Sequence, residues 1–309
     1  MRVMGSKGAR VLLLGLAGAC ATTADPSISW QARTADAELE RALDAESKGE
    51  REQALELGRR ALQHAREAAA LGTVGRALLL VGRTDSDLMA CLEAIEVFEH
   101  QGDRAGVAEA QIAAASLLLE LGQASEALGH ARASRSALED AELGRTPWAR
   151  LSARVHHGTA RALRSLDRID EARSEERQAD LALSLLDDAD LVPLRVEVQL
   201  ALGMDAERLD DPGHAIEHYS RALSLARRAG DGPAQLAALT GIVSALTDLQ
   251  RYADAVAHCE RALDLARELG DAGQVQELGR RGLALLALLG DPAGSSRRRA
   301  FEQALLTGT

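Results

Sequence analysis

The chain has 309 residues, of which 46% are hydrophobic and only 2% aromatic, and it carries a formal net charge of −11. This acidic balance does not favour nucleic acid or an anionic lipid surface as a partner. The abundance of Ala, Leu, Arg and Glu favours helix throughout, and no run of alternating β-branched residues predicts a strand.

The first nineteen residues have the pattern of a secretory signal. Arg2, Lys7 and Arg10 precede a short apolar core from Val11 to Ala19. A basic start, an apolar core and small residues at the end are typical of a cleaved signal peptide. The core is too short to cross a bilayer as a helix. We therefore predict that residues 1–19 are removed.

Cys20 follows this signal directly. Residues 16–20 read Leu-Ala-Gly-Ala-Cys and resemble the lipobox of bacterial lipoproteins. The resemblance implies that Cys20 receives a diacylglycerol group and that the signal is cut before it. Ala21 stands where an Asp favours retention at the inner membrane, so the resemblance implies a lipid-anchored protein of the bacterial cell envelope, at the outer membrane. The alternative is an ordinary signal peptide followed by an incidental Cys.

Residues 20–33 separate this lipidation site from the repeats. They include Pro26, Ser27 and Ser29 and lack helical periodicity, which predicts a flexible tether. Trp30 either rests on the lipid interface or packs on the first helix. We expect residues 34–309 to form the folded domain.

The segment 213–231 organises this domain, because the segment 253–271 repeats it with ten of nineteen positions identical. Both copies place Ala at their third and tenth positions: Ala215, Ala222, Ala255 and Ala262. Seven residues are about two helical turns, so each pair of alanines lies on one face and lets another helix approach closely. Each copy ends in Gly-Asp; Gly230 and Asp231 predict a left-handed C-cap followed by an N-cap.

Four earlier segments align with these two through small residues. The first aligned positions are Ala54, Asp87, Ala127, Ala172, Ala215 and Ala255, which lie 33–45 residues apart. A small or apolar residue twelve positions before each one predicts a preceding helix, and such a period predicts a solenoid of helix pairs. Turns within the pairs are predicted near Gly49, Gly82, Gly122, Asp167, Asp210 to Pro212 and Gln250.

These residues resemble the signature of the tetratricopeptide repeat over roughly residues 34–306. The matching positions are Gly203, Ala215, Tyr219, Ala222, Ala255, Cys259 and Ala262. The resemblance implies an all-α, right-handed α-solenoid of about six helix-turn-helix repeats, whose first helices line a concave groove. Asp87, Arg173 and Glu176 depart from the pattern. Residues 294–306 lack the alanines and are predicted to form a C-terminal capping helix.

Two short motifs could suggest chemistry. Cys91 and Cys259 occupy the same position of their repeats in this alignment, and no CxxC or Cys/His cluster accompanies them. We interpret them as small buried packing residues. His214 and His218 belong to an HxxEH sequence, the inverted zincin motif. His258 repeats the position of His218, which favours a repeated surface histidine over a zinc site.

Basic residues gather in the fourth repeat. Tetratricopeptide geometry implies that Arg154, His157, Arg161 and Arg164 face the groove. Such a strip could hold a carboxylate or an acidic peptide through charge-assisted hydrogen bonds. The alternative is a solvated helix face with salt bridges to Glu197 or Glu207.

Together these patterns predict a non-catalytic, membrane-anchored scaffold or adaptor with a protein or peptide partner. No cofactor, metal or nucleic acid is expected. One alternative is a regulator whose groove closes on a peptide or another signal. The other is a zinc-dependent hydrolase that uses His214 and His218.

Overall fold

The computed structural model describes residues 26–186, 188–292 and 295–307. These residues form fourteen α-helices and a short 3-10 turn at Ala189–Leu191, and they contain no strand. In chain order the helices are α1 (Pro26–Ser47), α2 (Arg51–Glu67), α3 (Leu71–Asp85), α4 (Leu88–Gln101), α5 (Arg104–Glu120), α6 (Ala124–Glu139), α7 (Arg145–Ser165), α8 (Ile169–Ser184), α9 (Val192–Arg208), α10 (Pro212–Ala229), α11 (Gly232–Asp248), α12 (Tyr252–Glu268), α13 (Ala272–Leu288) and α14 (Ser296–Thr307). The predicted all-α class is confirmed.

The helices pack as consecutive pairs that stack into a solenoid. Each helix contacts the next one in sequence, from α1 through α14. The odd-numbered helices also contact one another across pairs, as α1 does α3, α3 does α5, α5 does α7 and α9 does α11. The first helices of the pairs therefore form one layer, which is the arrangement of an α-solenoid.

Small residues make this stacking possible. Ala215, Ala222, Ala255 and Ala262 are all 0% exposed. A methyl side chain at a contact lets two helix backbones approach to the short end of the usual interaxial range. The repeated alanines are thus the contact points between neighbouring helices.

Residues in the left-handed backbone conformation follow the first helix of most pairs, at the predicted turns. Gly49, Gly122, Asp167, Asp210 and Gln250 all have φ between 56° and 77°. The prediction for Gly82 was wrong, because this glycine lies inside α3 and the turn falls at Ser86. A Cβ on Gly82 would lie 2.5 Å from the Sγ of Cys91, so close contact with α4 explains this glycine.

The Gly-Asp sequences form connections between successive pairs. Gly230 ends α10 with φ of 70°, and Asp231 accepts a hydrogen bond from the backbone N of Ala234 at 2.9 Å. Both predicted caps are confirmed. Asp103 and Asp271 cap α5 and α13 through the same contact. A side-chain oxygen at this position satisfies one of the free amides in the first helical turn.

The second repeat has a different register from the one predicted. Asp87 lies outside α4 and accepts hydrogen bonds from the backbone N atoms of Met89 and Ala90, so it is an N-cap. In the other even-numbered helices of the six pairs, the first aligned alanine lies three residues after the start; in α4 that position is Cys91. Cys91 and Cys259 therefore do not share a position, although both are fully buried free thiols.

The few aromatic residues fill spaces between helices that glycines leave open. The ring of Tyr219 lies between α9 and α11, and a Cβ on Gly203 or Gly241 would approach it to 2.6 or 2.5 Å. Its hydroxyl donates to Glu207 at 2.6 Å. Phe98 lies in the same way between Gly75 and Gly106. In the second and fifth pairs, a glycine of the first helix is thus matched to a large ring on the second helix.

The chain becomes helical earlier than predicted. Residues 26–33, assigned to the flexible tether, form the first turns of α1. Proline fits the first turn of a helix, where its missing N–H costs nothing, and α2 provides contacts: Gln31 donates to Glu67 at 2.9 Å, and the rings of Trp30 and His64 meet edge to face at 6.3 Å. Trp30 therefore packs beside the first helices, with 58% of its surface exposed.

The last helix closes the described solenoid. Phe301 and Ala304 of α14 are 0% exposed, and the Phe301 ring fills the space that Gly282 leaves on α13. Most of the remaining α14 side chains are polar and at least partly exposed. Among the helices of the described residues, none combines the length and apolar character needed to cross a membrane.

Candidate functional site

The four basic residues of the fourth repeat lie along α7. Their spacings of three and four residues place them on one helix face. Arg154, His157 and Arg161 line a pocket of about 250 Å³, which we call the groove pocket. Its walls come from α3, α5, α7 and α9, all in the layer of odd-numbered helices. Three of the four residues are therefore brought together.

The groove pocket combines apolar walls with charges of both signs. Ile112 and Leu117 of α5 and Leu194 of α9 form apolar parts of the lining. Glu120 and Glu197 also border the pocket. Arg83 of α3 also lines the pocket. Since three arginines face two glutamates, the lining keeps a small excess of positive charge.

Arg154 is half-buried in this lining. Its Nη1 atom lies 3.6 Å from Glu109 Oε1, which is an ion pair longer than a hydrogen bond. Burial lowers the pKa of Arg154 below its ordinary value; Glu109 opposes this effect and the charge of Arg83 adds to it. An anion placed in the pocket would therefore relieve an incompletely compensated charge.

Arg161 has one weak polar contact. Its Nη1 atom donates to Ser116 Oγ at 3.4 Å. A guanidinium has five N–H donors in a planar fork, which matches a carboxylate in two-point contact. Arg161 therefore retains donor capacity at the pocket surface.

His157 connects the pocket with the core. Its Nδ1 atom lies 3.0 Å from Oε2 of the fully buried Glu176, and its Nε2 atom lies 3.5 Å from Oε2 of Glu197. A carboxylate accepts hydrogen bonds, so the first contact places a proton on Nδ1. His157 is held between two glutamates and acts mainly as a positioned part of the wall.

Arg164 differs from the other three, contrary to the sequence-based grouping. It makes a two-point contact with Asp205 of α9, at 2.7 and 2.9 Å, and a third hydrogen bond to Glu176 of α8 at 2.9 Å. Both carboxylates are 0% exposed. Burial lowers the pKa of Arg164, but Asp205 and Glu176 outweigh this and hold the pKa above its usual value. Arg164 joins three helices and does not line the groove pocket.

Glu176 is the residue at which α8 departs from the repeat signature. It occupies the position that Tyr219 holds in the fifth repeat, four residues after the first alanine. A buried carboxylate requires partners, and here Arg164 and His157 supply them. The departure is therefore compensated within the core.

Sequence reasoning missed the contribution of Arg83 and Leu194. Arg83 lies in α3, far along the chain from α7, and donates from Nη2 to both carboxylate oxygens of Glu46 at 2.9 and 3.1 Å. Leu194 comes from the first turn of α9. No motif marks either residue, because only the stacking of four odd-numbered helices brings them to one place.

The HxxEH sequence lies on α10, where each histidine has a different partner. His214 Nδ1 lies 2.7 Å from Asp211 Oδ2, and His218 Nδ1 lies 2.9 Å from Gln199 Oε1. Within the described ranges, no group of three or more His, Cys, Asp or Glu side chains could hold a metal ion. The zinc alternative therefore finds no ligand set in that part of the chain, and metal analysis of the purified protein tests it.

The repeated histidines are less exposed than predicted. His130, His218 and His258 are half-buried, and the first two contact a glutamine on the preceding helix. Burial is the main cause that lowers the pKa of each of them. They lie at the seam between two helices and not on an open surface.

The remaining predicted residues fall into two groups. The repeat-signature residues are buried within helix contacts, and Cys259 donates from Sγ to the carbonyl of Leu278 at 3.4 Å. Cys20, with the signal peptide of residues 1–19, lies outside the residues that the structure describes. Lipidation at Cys20 stays a prediction.

Comparison with known proteins matches one segment of the chain to a family. Residues 194–268, which run from α9 to the end of α12, match the tetratricopeptide repeat family. No curated protein matches the chain. The sequence resemblance was most complete for these same two repeats, so the family assignment of this segment is confirmed.

Solved structures resemble the chain in fold at low sequence identity. The apo form of the quorum sensor NprR from B. thuringiensis is 13% identical with a TM-score of 0.60, over 88% of this chain and 75% of that one. BtubC (BKLC) from P. vanneervenii is 14% identical with a TM-score of 0.57, over 72% and 89%. A Rap protein complexed with competence and sporulation factor is 14% identical with a TM-score of 0.51, over 82% and 75%. These likenesses support the helical-repeat solenoid.

Proposed function

We propose that this tetratricopeptide-type solenoid is a non-catalytic scaffold that holds a protein or peptide partner against its odd-numbered helices. The partner places an acidic group in the groove pocket, between Arg154 and Arg161. The repeat architecture supports a binding role because it offers an extended surface built from many stacked helices.

The observation that carries this proposal is the state of the two arginines. Arg154 has a long ion pair with Glu109, and Arg161 has one long hydrogen bond to Ser116. Both side chains are only partly exposed, so a carboxylate bound there gains charge-assisted hydrogen bonds with limited competition from water. Glu120 and Glu197 restrict the site to a small negative charge.

The proposal predicts the composition of peptides that bind. A random peptide library selected on the immobilised protein should be enriched in sequences with Asp, Glu or a free C-terminal carboxylate. Arg154→Gln combined with Arg161→Gln should weaken such peptides about tenfold or more, since hydrogen bonds to charged groups contribute about 1.5–3 kcal/mol each.

Arg132→Gln is the matched control, because Arg132 is an exposed arginine on α6 outside the pocket. Peptides should bind this variant as they bind the wild type. Equal binding to all three proteins, or enrichment of basic peptides, would show that the groove pocket does not bind the acidic group. Arg164 is left intact because its replacement would disturb the core.

Membrane anchoring through Cys20 belongs to the same proposal. The signal-like residues 1–19 and the lipobox-like residues 16–20 support an envelope location with the solenoid held at the outer membrane. Labelled palmitate should enter the wild-type protein and be absent from Cys20→Ser. Equal labelling of the two would show that Cys20 is not the anchor.

A peptide-sensing regulator is the second candidate. The observation that favours it is the size of the groove pocket, about 250 Å³, which suits a side chain or a short peptide end. Thermal stabilisation by a selected peptide, together with failure to form a stable complex with any intact protein, would favour the sensor over the scaffold.

A further inference from the structure

A second pocket lies on the opposite side of α9 from the groove pocket. This outer pocket has a volume of about 300 Å³ and is lined by α8, α9 and α10. Leu194 and Glu197 of α9 face the groove pocket, whereas Arg195 and Gln199 face the outer pocket. At about 100° per residue, these two sets point roughly 150° apart.

The outer pocket lies at the longest connection between successive pairs. Residues 185–191, which include the 3-10 turn, join α8 to α9, whereas only residues 230–231 join α10 to α11. The C-terminal halves of α8 and α10 form the walls, and the N-terminal half of α9 forms the floor. The long connection coincides with this space between the two even-numbered helices.

The lining is positively charged in an otherwise acidic protein. Arg195, Arg221 and Arg228 line the pocket with a single acid, Asp180, which leaves a formal charge of about +2. None of these three arginines forms an ion pair with another residue that the structure describes. Asp180 instead accepts a hydrogen bond from Gln199 Nε2 at 2.7 Å.

Arg195 is fixed by the backbone. Its Nη2 atom donates to the carbonyls of Leu183, at 3.1 Å, and Leu186, at the end of α8. Its Nε atom is buried and has no hydrogen-bond partner in the described part of the chain. Arg221 and Arg228 are exposed on α10, about 10 Å apart along its axis. A fixed cation thus lies at the floor, with two exposed cations at the rim.

This charge pattern is particular to one repeat. The residues of α12 equivalent to Ser224 and Arg228 are Asp264 and Glu268, in a segment that is otherwise closely similar. The same helix can therefore carry acids at these two positions. The positive lining is not a requirement of the repeat fold.

We propose that the outer pocket binds a phosphate dianion, either free or as the monoester of an apolar group. A phosphate monoester carries a charge of about −2 near neutral pH, which balances the lining. Arginine forks contact phosphate oxygens through paired hydrogen bonds. Leu183 and Leu225 lie in the same lining and offer contacts to an apolar ester group.

Isothermal titration calorimetry at low salt tests the proposal with three probes: phenyl phosphate, inorganic phosphate and benzoate. Either phosphate should bind more tightly than benzoate, which has one negative charge. Stronger binding of phenyl phosphate would identify an ester as the ligand, and equal binding would identify free phosphate. The variant Arg228→Glu should weaken binding about tenfold or more.

Arg227→Glu is the matched control, since it changes the same charge on the neighbouring residue of the same helix. It should bind as the wild type does, and circular dichroism should show equal helix content in both variants. No measurable binding of either phosphate, benzoate binding as tight as phosphate, or equal loss in the two variants would overturn the proposal.

Discussion

Glu176 is a carboxylate in the core, at the position that Tyr219 holds in the fifth repeat. It is 0% exposed and bound by Arg164, which also holds the buried Asp205. A buried ion pair contributes little net stability, but removal of one partner leaves an uncompensated charge. The cluster therefore constrains how α7, α8 and α9 can pack.

The first prediction concerns this cluster. Glu176→Ala should lower the free energy of unfolding by about 3 kcal/mol, because Arg164 loses one of its buried partners. Urea denaturation followed by circular dichroism measures the effect. Glu171→Ala removes an exposed carboxylate from the same helix and should change stability little. Similar losses in the two variants would show that Glu176 is not an essential partner.

The second prediction concerns pH. In the folded protein, burial lowers the pKa of His130, His218 and His258 below the ordinary value of 6.5. As the pH falls through 6.5, the unfolded chain therefore takes up more protons than the folded protein does. Stability contributed by the neutral histidines is present above about pH 6.5 and is lost as the pH falls towards the folded pKa values. Carboxylates with a lowered pKa, such as Glu175, lose their contribution only below about pH 4.5.

The variant with all three histidines replaced by Gln should therefore show a flatter stability profile between about pH 7.5 and pH 5.5. Urea midpoints measured across this range would test the expectation. A profile as steep as that of the wild type would assign the pH dependence to other groups.

At the scale of the elements, contacts between an aromatic ring and glycines fit the second pair to the third and the fifth pair to the sixth. Tyr219 occupies the space that Gly203 and Gly241 leave, and Phe98 occupies that of Gly75 and Gly106. The ring and the glycines lie on different helices, so a change in the size of either side chain alters the packing of both helices. Helix identity comes from local propensity, whereas the fit between helices depends on these matched sizes.

The third prediction follows from that match. Gly203→Ala should destabilise the fold by about 1–3 kcal/mol, because its Cβ would lie 2.6 Å from the Tyr219 ring. Tyr219→Ala alone should also destabilise it through lost burial. The double variant should be more stable than the sum of the two losses predicts, as thermal or urea unfolding can measure. Strict additivity would contradict the contact.

At the scale of the whole molecule, the solenoid has mainly local contacts. Each helix packs against its neighbours in sequence, and contacts between odd-numbered helices join α1 to α3, α3 to α5, α5 to α7 and α9 to α11. Such a chain can open in one region while distant repeats stay folded, since stability is close to a sum over repeats and their interfaces.

The fourth prediction is that a destabilising substitution affects only the helices near it. In Glu176→Ala, hydrogen exchange measured by mass spectrometry should accelerate most in α7, α8 and α9. Exchange in α1, α2 and α13 should change little, because these helices have no contact with the altered site. A uniform increase along the chain would indicate cooperative unfolding of the entire solenoid.

Part of the candidate site could be predicted from sequence because it lies on one helix. Arg154, His157 and Arg161 share a face of α7 at helical spacing, and the resemblance to the tetratricopeptide repeat implied that this face lines the groove. The same implication was wrong for Arg164, because neither spacing nor the resemblance reveals which neighbours are buried carboxylates. Arg83 comes from another repeat, and no local pattern connects it with α7.

The sequence by itself determined the helices, their pairing and most turns, because alanine spacing, glycine caps and aspartate caps act over a few residues. The tertiary structure decided which charges are available for binding. Arg164 is held by buried carboxylates and Arg161 retains free donors, although both lie on α7. The physical reason is that burial and ion pairing depend on residues that other helices bring to the same place.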